Sequence, residues 1–417
     1  MIRPFYSLVM SGFQPFLRHK LRRRGVAEPG YLQHVDERFG LYPDPSDSGR
    51  IWIHAVSLGE TRAAAILLEQ LRAQQPGVRV LLTHGTATGR AEGERLLQPG
   101  DAQAWLPWDT PQAVARFLEH FCPRIGVLME TEVWPNLAAG CVEQGVPLAL
   151  ANARLSEKSM RQALRLSRLS RPAYGALSAG WAQTEADARR LARVGAPVSG
   201  VFGNLKFDAA TDLRQLAQGR AWRARLGRPV LMFASSREGE EQGFFEALAP
   251  HRDAGVQWLL VPRHPQRFDE VVVQAAQYGL SVSRRSGWSG DPEPADIWLG
   301  DSLGEMALYY GMADVALLGG SFEPLGGQNL IEASACGCPV VMGPHTFNFA
   351  DAAQLAEAAG AALRVDTIAD AVGTAVSLAG DSKQQAVVAA AGLAFAAAHR
   401  GAASKTAAAL LALVERP

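Results

Sequence analysis

Two glutamates and one lysine follow apolar, strand-like runs in the first half of the chain. Glu60 closes the motif AVSLGE, Glu130 lies in METEVWPN, and Lys206 lies in GNLKFD. A carboxylate can take a proton from a reacting hydroxyl, and a lysine can neutralise negative charge that develops on a leaving phosphate. These three side chains are therefore candidates for a general base and for groups that stabilise developing charge.

Each of these side chains also has a purely structural alternative. Glu60 falls at a predicted helix start, where unpaired N–H groups and the helix dipole favour the ionised carboxylate. Glu130 and Glu132 could cap the next helix. An acidic pair after an apolar strand destabilises the fold, however, unless a positive charge lies beside it. Lys206 could form a salt bridge with Asp208 instead of serving catalysis.

The second half of the chain carries patterns suited to an anionic ligand. Arg263 follows a strand in VPRHP, and guanidinium geometry matches phosphate or carboxylate. The segment LLGGSFEPLGGQNLIEA (residues 317–333) reads as a strand, a glycine-rich loop and a helix. Such loops bring backbone N–H groups close to phosphates, and Glu332 could accept hydrogen bonds from ribose hydroxyls. The alternative for any single glycine pair is a plain turn.

Short apolar runs alternate with helical patterns from residue 50 onwards, which predicts parallel sheets covered on both faces. In the first half the predicted strands are Ile51–Val56, Val78–Thr83, Arg124–Met129, Val146–Ala151, Gly180–Gln183 and Val198–Phe202. In the second half they are Val230–Ala234, Gln257–Val261, Ile297–Leu299, Val315–Leu318 and Pro339–Met342. Residues 204–227 are interpreted as the connection between domains, and residues 383–414 as closing helices. Two such domains would face a central cleft, where ligands bind at the carboxyl ends of strands.

Composition excludes several classes of protein. A chain of 417 residues is too long for one hydrophobic core, so we expect more than one domain. Its 41 basic residues balance its 41 acidic residues, so no nucleic-acid partner is expected. The four cysteines make neither a disulfide framework nor a zinc spacing, which favours a reducing compartment and no metal site.

The N-terminus combines an apolar segment (residues 5–17) with a basic cluster, RHKLRRR, at residues 18–24. The apolar segment is too short to span a bilayer, which takes about 20 residues. Most of the positive charge follows the apolar segment, whereas in a secretory signal the positive charge precedes it. This pattern indicates a segment that lies on an anionic membrane surface. The alternative is an amphipathic helix packed on its own domain.

Taken in order, these segments resemble the 3-deoxy-D-manno-octulosonic acid (Kdo) transferases of lipopolysaccharide synthesis. The resemblance covers about residues 30–355 and includes ALANARLS, VPRHPQRF, GDSLGEM and GPHTFNF besides the motifs above. It implies two Rossmann-like doubly wound domains of the glycosyltransferase B fold. It also implies inverting transfer of Kdo from CMP-Kdo to the lipid A precursor lipid IVA, without a metal ion or other cofactor.

The resemblance assigns roles to individual residues. Glu60 matches the proton acceptor of the family, and Glu130 with Lys206 matches the residues that stabilise the transition state. The matching CMP-binding residues are Pro262, Arg263, Leu303, Gly304, Glu305, Asn329, Leu330, Ile331 and Glu332. The usual N-P-L-E of the family is Asn329-Leu330-Ile331-Glu332 here, so the local turn is expected to differ.

The sequence thus predicts a membrane-associating segment (residues 1–30), an acceptor-binding domain (31–205) and a CMP-sugar-binding domain with closing helices (206–417). The expected location is the cytoplasmic side of the inner membrane, with peripheral or monotopic attachment. Two alternatives remain. One is another two-Rossmann-fold enzyme, such as a UDP-sugar transferase or 2-epimerase, and the other is a non-catalytic two-domain ligand-binding protein.

Overall fold

The structure, a computed structural model, describes residues 2–43 and 48–415. The chain divides into two compact units, which are Met1–Asp208 together with Arg400–Pro417, and Ala209–His399. Each unit is built on one seven-stranded sheet in which every strand pair is parallel.

The strands are numbered in chain order. The first sheet has the order β3-β2-β1-β4-β5-β6-β7 and the second β10-β11-β9-β8-β12-β13-β14. The first sheet contains β1 (Ile51–His54), β2 (Val80–His84), β3 (Ala102–Trp105), β4 (Ile125–Met129), β5 (Leu148–Ala153), β6 (Ala179–Ala182) and β7 (Gly200–Val201). The second contains β8 (Val230–Ser236), β9 (Gln257–Pro262), β10 (Val282–Arg284), β11 (Ile297–Leu299), β12 (Val315–Leu318), β13 (Val340–Met342) and β14 (Ala362–Arg364).

The helices are numbered in the same way. Those of the first unit are α1 (Ile2–Gly12), α2 (Gln14–Ala27), α3 (Leu58–Gln74), α4 (Ala87–Glu94), α5 (Pro111–Phe121), α6 (Pro135–Glu143), α7 (Glu157–Arg165), α8 (Ser167–Gly175), α9 (Glu185–Val194) and α18 (Ala402–Val414). Those of the second are α10 (Leu213–Arg225), α11 (Glu240–Leu248), α12 (Phe268–Gln277), α13 (Met306–Met312), α14 (Leu330–Ala335), α15 (Ala350–Ala358), α16 (Ile368–Gly380) and α17 (Ser382–Ala398).

Both faces of the first sheet are buried, because alternate residues of one strand join different apolar clusters. Trp52 of β1 packs in a cluster with Phe117 of α5, whereas its neighbours Ile51 and Ile53 pack in a cluster with Leu67 of α3. Side chains of a strand alternate between the two faces of the sheet, so helices cover both. The predicted α/β class with two Rossmann-like units is confirmed.

The strands that the sequence patterns missed are β3, β10 and β14. All three lie at sheet edges, and each has partly exposed residues. An edge strand is paired and covered on fewer sides, so it needs less apolar sequence than a central strand. The predicted central strands are present, with ends that shift by one or two residues.

The predicted connection at residues 204–227 contains the boundary between the units, which lies between Asp208 and Ala209. Its helical part is α10, which packs so tightly on α13 that a Cβ on Gly219 would lie 2.1 Å from the carbonyl oxygen of Leu308. Of the predicted closing helices, α17 belongs to the second unit, whereas α18 returns to the first. Ala403 and Leu410 of α18 are buried in the same cluster as Leu67 of α3, so α18 belongs to that core.

The alanine-rich stretch Ser382–Val414 is long and apolar enough to cross a membrane by length and composition. In the structure it is two helices, α17 and α18, separated at Gly401, which has a positive φ of 98°. Small side chains at this spacing allow close helix packing within each unit, which accounts for the composition.

Candidate functional site

Glu60 lies in the first turn of α3 and is held by the chain that precedes it. Its N–H donates to Ser57 Oγ, which in turn donates to Glu60 Oε1 at 3.0 Å. Glu60 Oε2 accepts from the N–H of Val56 at 2.9 Å. The motif S-x-x-E therefore forms a capping arrangement that fixes the carboxylate at the carboxyl end of β1. Capping, the structural alternative for Glu60, is thus present.

Capping does not decide the protonation of this carboxylate. Burial raises the pKa of Glu60 to about 7, and the negative charges of Glu130 and Glu132 act in the same direction. The hydrogen bonds from Val56 and Ser57 lower the pKa but do not outweigh these effects. The prediction that the helix start favours the ionised form is therefore wrong in its net direction. A carboxyl with this pKa is a stronger base than an ordinary glutamate, which suits it to accept a proton near neutral pH.

Glu130 directly follows β4 in a left-handed conformation, with φ of 58°, and is buried. Its Oε2 accepts from Arg154 Nε at 2.6 Å, and Arg154 itself is half exposed. A buried carboxylate requires such a positive partner. Because β1, β4 and β5 are neighbours in the sheet, their carboxyl ends bring Glu60, Glu130 and Arg154 to one edge.

The acidic pair does not cap α6. Glu132 accepts from Trp134 Nε1 at 2.9 Å, and the N–H groups of Asn136 and Leu137 donate to Asp109 from another segment. The turn therefore separates Glu130 and Glu132 into different environments, although both charges act on Glu60.

Lys206 lies in a 3₁₀ turn after β7, the far edge of the sheet, and is brought back toward β5. The N–H of Leu205 donates to Asn152 Oδ1 at 3.1 Å. The negative charges of Glu130 and Glu60 act on Lys206, but burial dominates and lowers its pKa. Asp208, the alternative partner, accepts from the N–H groups of Gly401 and Ala403 at the start of α18.

Two residues that support this site were not predicted. Arg154 holds Glu130, and Asn152 holds the turn of Lys206. Asn152 has φ of 51°, a conformation that asparagine tolerates better than most residues. Its Nδ2 is buried and has no hydrogen-bond partner among residues 2–43 and 48–415. Both belong to ALANARLS, so the motif itself was the available signal. Together the five side chains place a base and two positive charges at one sheet edge.

In the second unit, Pro262 ends β9 and Arg263 follows it. The backbone N–H of Arg263 donates to Ser236, and its Nε donates to Gln328 Oε1 at 3.2 Å. This contact links the end of β9 to the glycine-rich loop after β12. Gln328, which sequence reasoning did not select, thus orients the guanidinium.

The glycine-rich loop is held from inside the second unit. Glu240, buried in the first turn of α11, accepts from the N–H groups of Gly320 and Phe322 at 2.7 and 3.1 Å. Gly319 has no room for a side chain, because a Cβ would lie 2.2 Å from the carbonyl oxygen of Ser235. These N–H groups are occupied, so the loop is not an open phosphate cradle at Gly320 and Phe322. Glu240 carried no sequence signal, since its role depends on the fold.

The remaining predicted donor residues fall into two classes. The side chains of Leu330 and Ile331 are buried in the core. Asn329 caps α14 by accepting from the N–H of Ile331, and Glu332 lies in the first turn of that helix. The helix start lies at Leu330, two residues later than the predicted Gln328.

Leu303 and Gly304 form an exposed turn before α13, in which Gly304 has φ of 80°. Glu305 accepts from Arg285 Nη2 at 2.9 Å and from Ser302 Oγ, so its carboxylate is already paired. The carbonyl oxygen of Gly304 accepts from Gln215 Nε2 at 2.9 Å, which ties the turn to α10.

Proteins of known family are similar to this chain in sequence and in structure. The family described as 3-deoxy-D-manno-octulosonic-acid transferase matches residues 33–209. A 3-deoxy-D-manno-octulosonic acid transferase of Bordetella pertussis is 48% identical over 97% of this chain and 97% of its own. The chain belongs to the Kdo transferase family. The enzyme of the same name from Haemophilus influenzae is 33% identical over 92% of both chains.

The family assignment makes the chain a glycosyltransferase that handles Kdo in lipopolysaccharide synthesis. A UDP-GlcNAc 2-epimerase of Neisseria meningitidis has a similar structure, with a TM-score of 0.56 over 88% of this chain and 99% of the other, at 13% identity. At this low identity the similarity shows only the fold. That fold is the two-Rossmann fold of B-type glycosyltransferases. The epimerase and non-catalytic alternatives give way to the transferase.

Proposed function

We propose that this enzyme transfers Kdo with inversion from CMP-Kdo to a lipid A precursor of the lipid IVA type. The observation that carries the proposal is the grouping of Glu60, Glu130 and Lys206 at one edge of the first sheet. Departure of CMP builds positive charge on the sugar and negative charge on the phosphate. A carboxyl with pKa near 7 suits attack by an acceptor hydroxyl, and an ammonium suits the leaving phosphate.

We assign the donor nucleotide to the second unit and acceptor activation to the first. Arg263, held by Gln328, is the proposed contact for an anionic donor group, and Glu332 the proposed contact for ribose. Transfer without a metal ion or other cofactor stays part of the proposal.

The donor assignment predicts selective protection by cytidine nucleotide. CMP at about 100 times its Kd should stabilise the native state by about 2.7 kcal/mol, which raises the melting temperature, whereas UMP and UDP should protect much less. Differential scanning fluorimetry measures this shift, and Glu332→Gln should reduce the shift with CMP. Equal protection by uridine nucleotides would contradict a CMP-sugar donor.

We further propose peripheral attachment to the cytoplasmic side of the inner membrane through α1 and α2. Helix α1 docks on its unit by polar contacts, since Tyr6 donates to Asp109 and Ser7 to Asn136. The large apolar side chains point elsewhere, with Phe5 68% and Leu8 70% exposed. A helix that contacts its own unit through polar groups and exposes apolar ones suits a lipid surface, and the basic residues of α2 suit anionic headgroups.

Attachment predicts salt-dependent binding to anionic vesicles. The double variant Arg22→Gln/Arg23→Gln, at exposed positions of α2, should weaken binding about tenfold or more, because each cation near such a surface contributes about 1 kcal/mol. Vesicle sedimentation measures the association, and Arg189→Gln/Arg193→Gln on α9 is the charge-matched control. Vesicle binding that changes neither with added salt nor in the α2 variant would refute surface docking.

A further inference from the structure

A cavity of about 350 Å³ lies inside the first unit, between the N-terminal helices and the segments that follow the strands. Its walls are largely apolar and include Met10, Leu17, Leu21, Leu106, Trp108 and Leu137. Ligand pockets usually measure about 300–1,000 Å³, so this one suits a single extended chain and not a whole multi-chain lipid.

The polar part of the wall is mainly cationic. Lys20, Arg24 and Arg38 line it, together with Asp109 and Glu132. The two carboxylates already have partners, since Asp109 accepts from a tyrosine hydroxyl and the start of α6, and Glu132 accepts from an indole N–H. The cations are therefore the groups best placed to bind a further anion.

Two buried donors in the lining carry no hydrogen-bond partner within the described residues. They are Nε of Arg38, a residue only 3% exposed, and Nε1 of Trp108. More than about 90% of buried donors normally have a hydrogen-bond partner. An acceptor on a bound molecule would supply the partner that these two N–H groups lack. The guanidinium of Arg38 also lies 3.9 Å from the ring centroid of Trp105, which fixes its orientation.

The cavity adjoins the candidate base. Val56 lines it, and the N–H of Val56 donates to Glu60 Oε2 at 2.9 Å. Glu132 also lines it, and its charge contributes to the raised pKa of Glu60. A molecule held in this cavity therefore lies near Glu60, the proposed base.

We infer that the cavity binds one acyl chain of the acceptor lipid, with an anionic group of that lipid held by Lys20, Arg24 and Arg38. This assignment rests on the proposed function for the identity of the lipid. The chemistry of the cavity, an apolar chain that ends in an anion, is shared with membrane phospholipids, so the test must separate the two.

The first measurement uses a soluble probe and the full chain. Dodecyl phosphate, below its micellar concentration, should bind in isothermal titration calorimetry, and inorganic phosphate should bind far more weakly. Met10→Trp, which fills the cavity from α1, should weaken probe binding about tenfold or more. Val142→Trp, on α6, 62% exposed and outside the lining, should leave probe affinity unchanged.

The anion is tested by Arg24→Gln, which should weaken probe binding, against Arg189→Gln at an exposed position of α9 outside the lining. Unchanged affinity in both Met10→Trp and Arg24→Gln would overturn the inference. So would inorganic phosphate that binds as tightly as dodecyl phosphate. A circular dichroism spectrum and a melting temperature like those of the natural protein report that each variant is folded.

The second measurement identifies the lipid. The acylated acceptor should displace dodecyl phosphate at lower concentration than phosphatidylglycerol does, and Met10→Trp should raise the KM for that acceptor. Displacement by phosphatidylglycerol at equal or lower concentration would overturn the acceptor assignment. If cavity-dependent probe binding is found but no Kdo is transferred, the proposed function fails while the amphiphile site stands. If Met10→Trp transfers Kdo with a normal KM for the acceptor, the acyl-chain site fails while the proposed function stands.

Discussion

Replacing Glu60 by glutamine is expected to lower the rate of Kdo transfer by about 10² to 10⁴, the usual contribution of a general base. Glutamine keeps the size of the side chain and an oxygen that can accept from Val56, but it cannot take the proton of the acceptor hydroxyl. The measurement is the initial transfer rate with CMP-Kdo and acceptor lipid. CMP protection should change little, since we assign the nucleotide to the second unit.

Two further variants separate catalysis from capping. Ser57→Ala removes the N-cap and should cost about 1 kcal/mol of stability while the carboxyl remains. Glu69→Gln, at an exposed position of the same helix, should change neither rate nor stability. If Glu60→Gln transferred Kdo at a near-normal rate and lost only stability, Glu60 would be a cap and not the base.

The raised pKa of Glu60 gives this prediction a pH signature. The base acts only when deprotonated, so kcat/KM should rise as pH increases through about 7 and level off above it. An ordinary glutamate would place this limb near pH 4.5, the reference value. The limb should vanish from the residual activity of Glu60→Gln.

The sequence predicted the fold well where burial is high. Central strands such as β8 (Val230–Ser236) are apolar along most of their length because helices cover both faces of the sheet. Edge strands such as β14 (Ala362–Arg364) carry a weaker signal, and all three missed strands are of this kind. The return of α18 to the first unit was also missed, because helical spacing does not say which core a helix joins.

The sequence predicted where the residues of the candidate site lie, but it did not predict the surroundings that set their pKa values and contacts. Glu60 and Glu130 were found because each follows an apolar strand, and parallel strands place their carboxyl ends together. The pKa of Glu60 went the other way from the prediction because burial and two neighbouring carboxylates outweigh the helix start. Asn152 and Glu240 act through contacts between distant segments, which no local pattern contains.

Replacing Lys206 by methionine is expected to lower the transfer rate by about 10² to 10³, the usual cost of removing one group that stabilises transition-state charge. Methionine fills similar space without a charge. Glu130 keeps its ion pair with Arg154, so the neighbouring carboxylate is not left unpaired. The loss should appear in kcat, because negative charge on the phosphate develops only as CMP leaves.

Stability distinguishes this role from a structural one. Burial lowers the pKa of Lys206 below that of the unfolded chain, so at neutral pH the folded state disfavours the ammonium. That cost is present below the lowered pKa and fades as pH rises through it. Lys206→Met should therefore melt at the same temperature as the natural protein or higher, while Lys158→Met, at an exposed position of α7, changes neither activity nor melting. An inactive variant with a lower melting temperature would make Lys206 a structural residue, whereas loss of rate at unchanged or higher stability is the pattern of a functional charge.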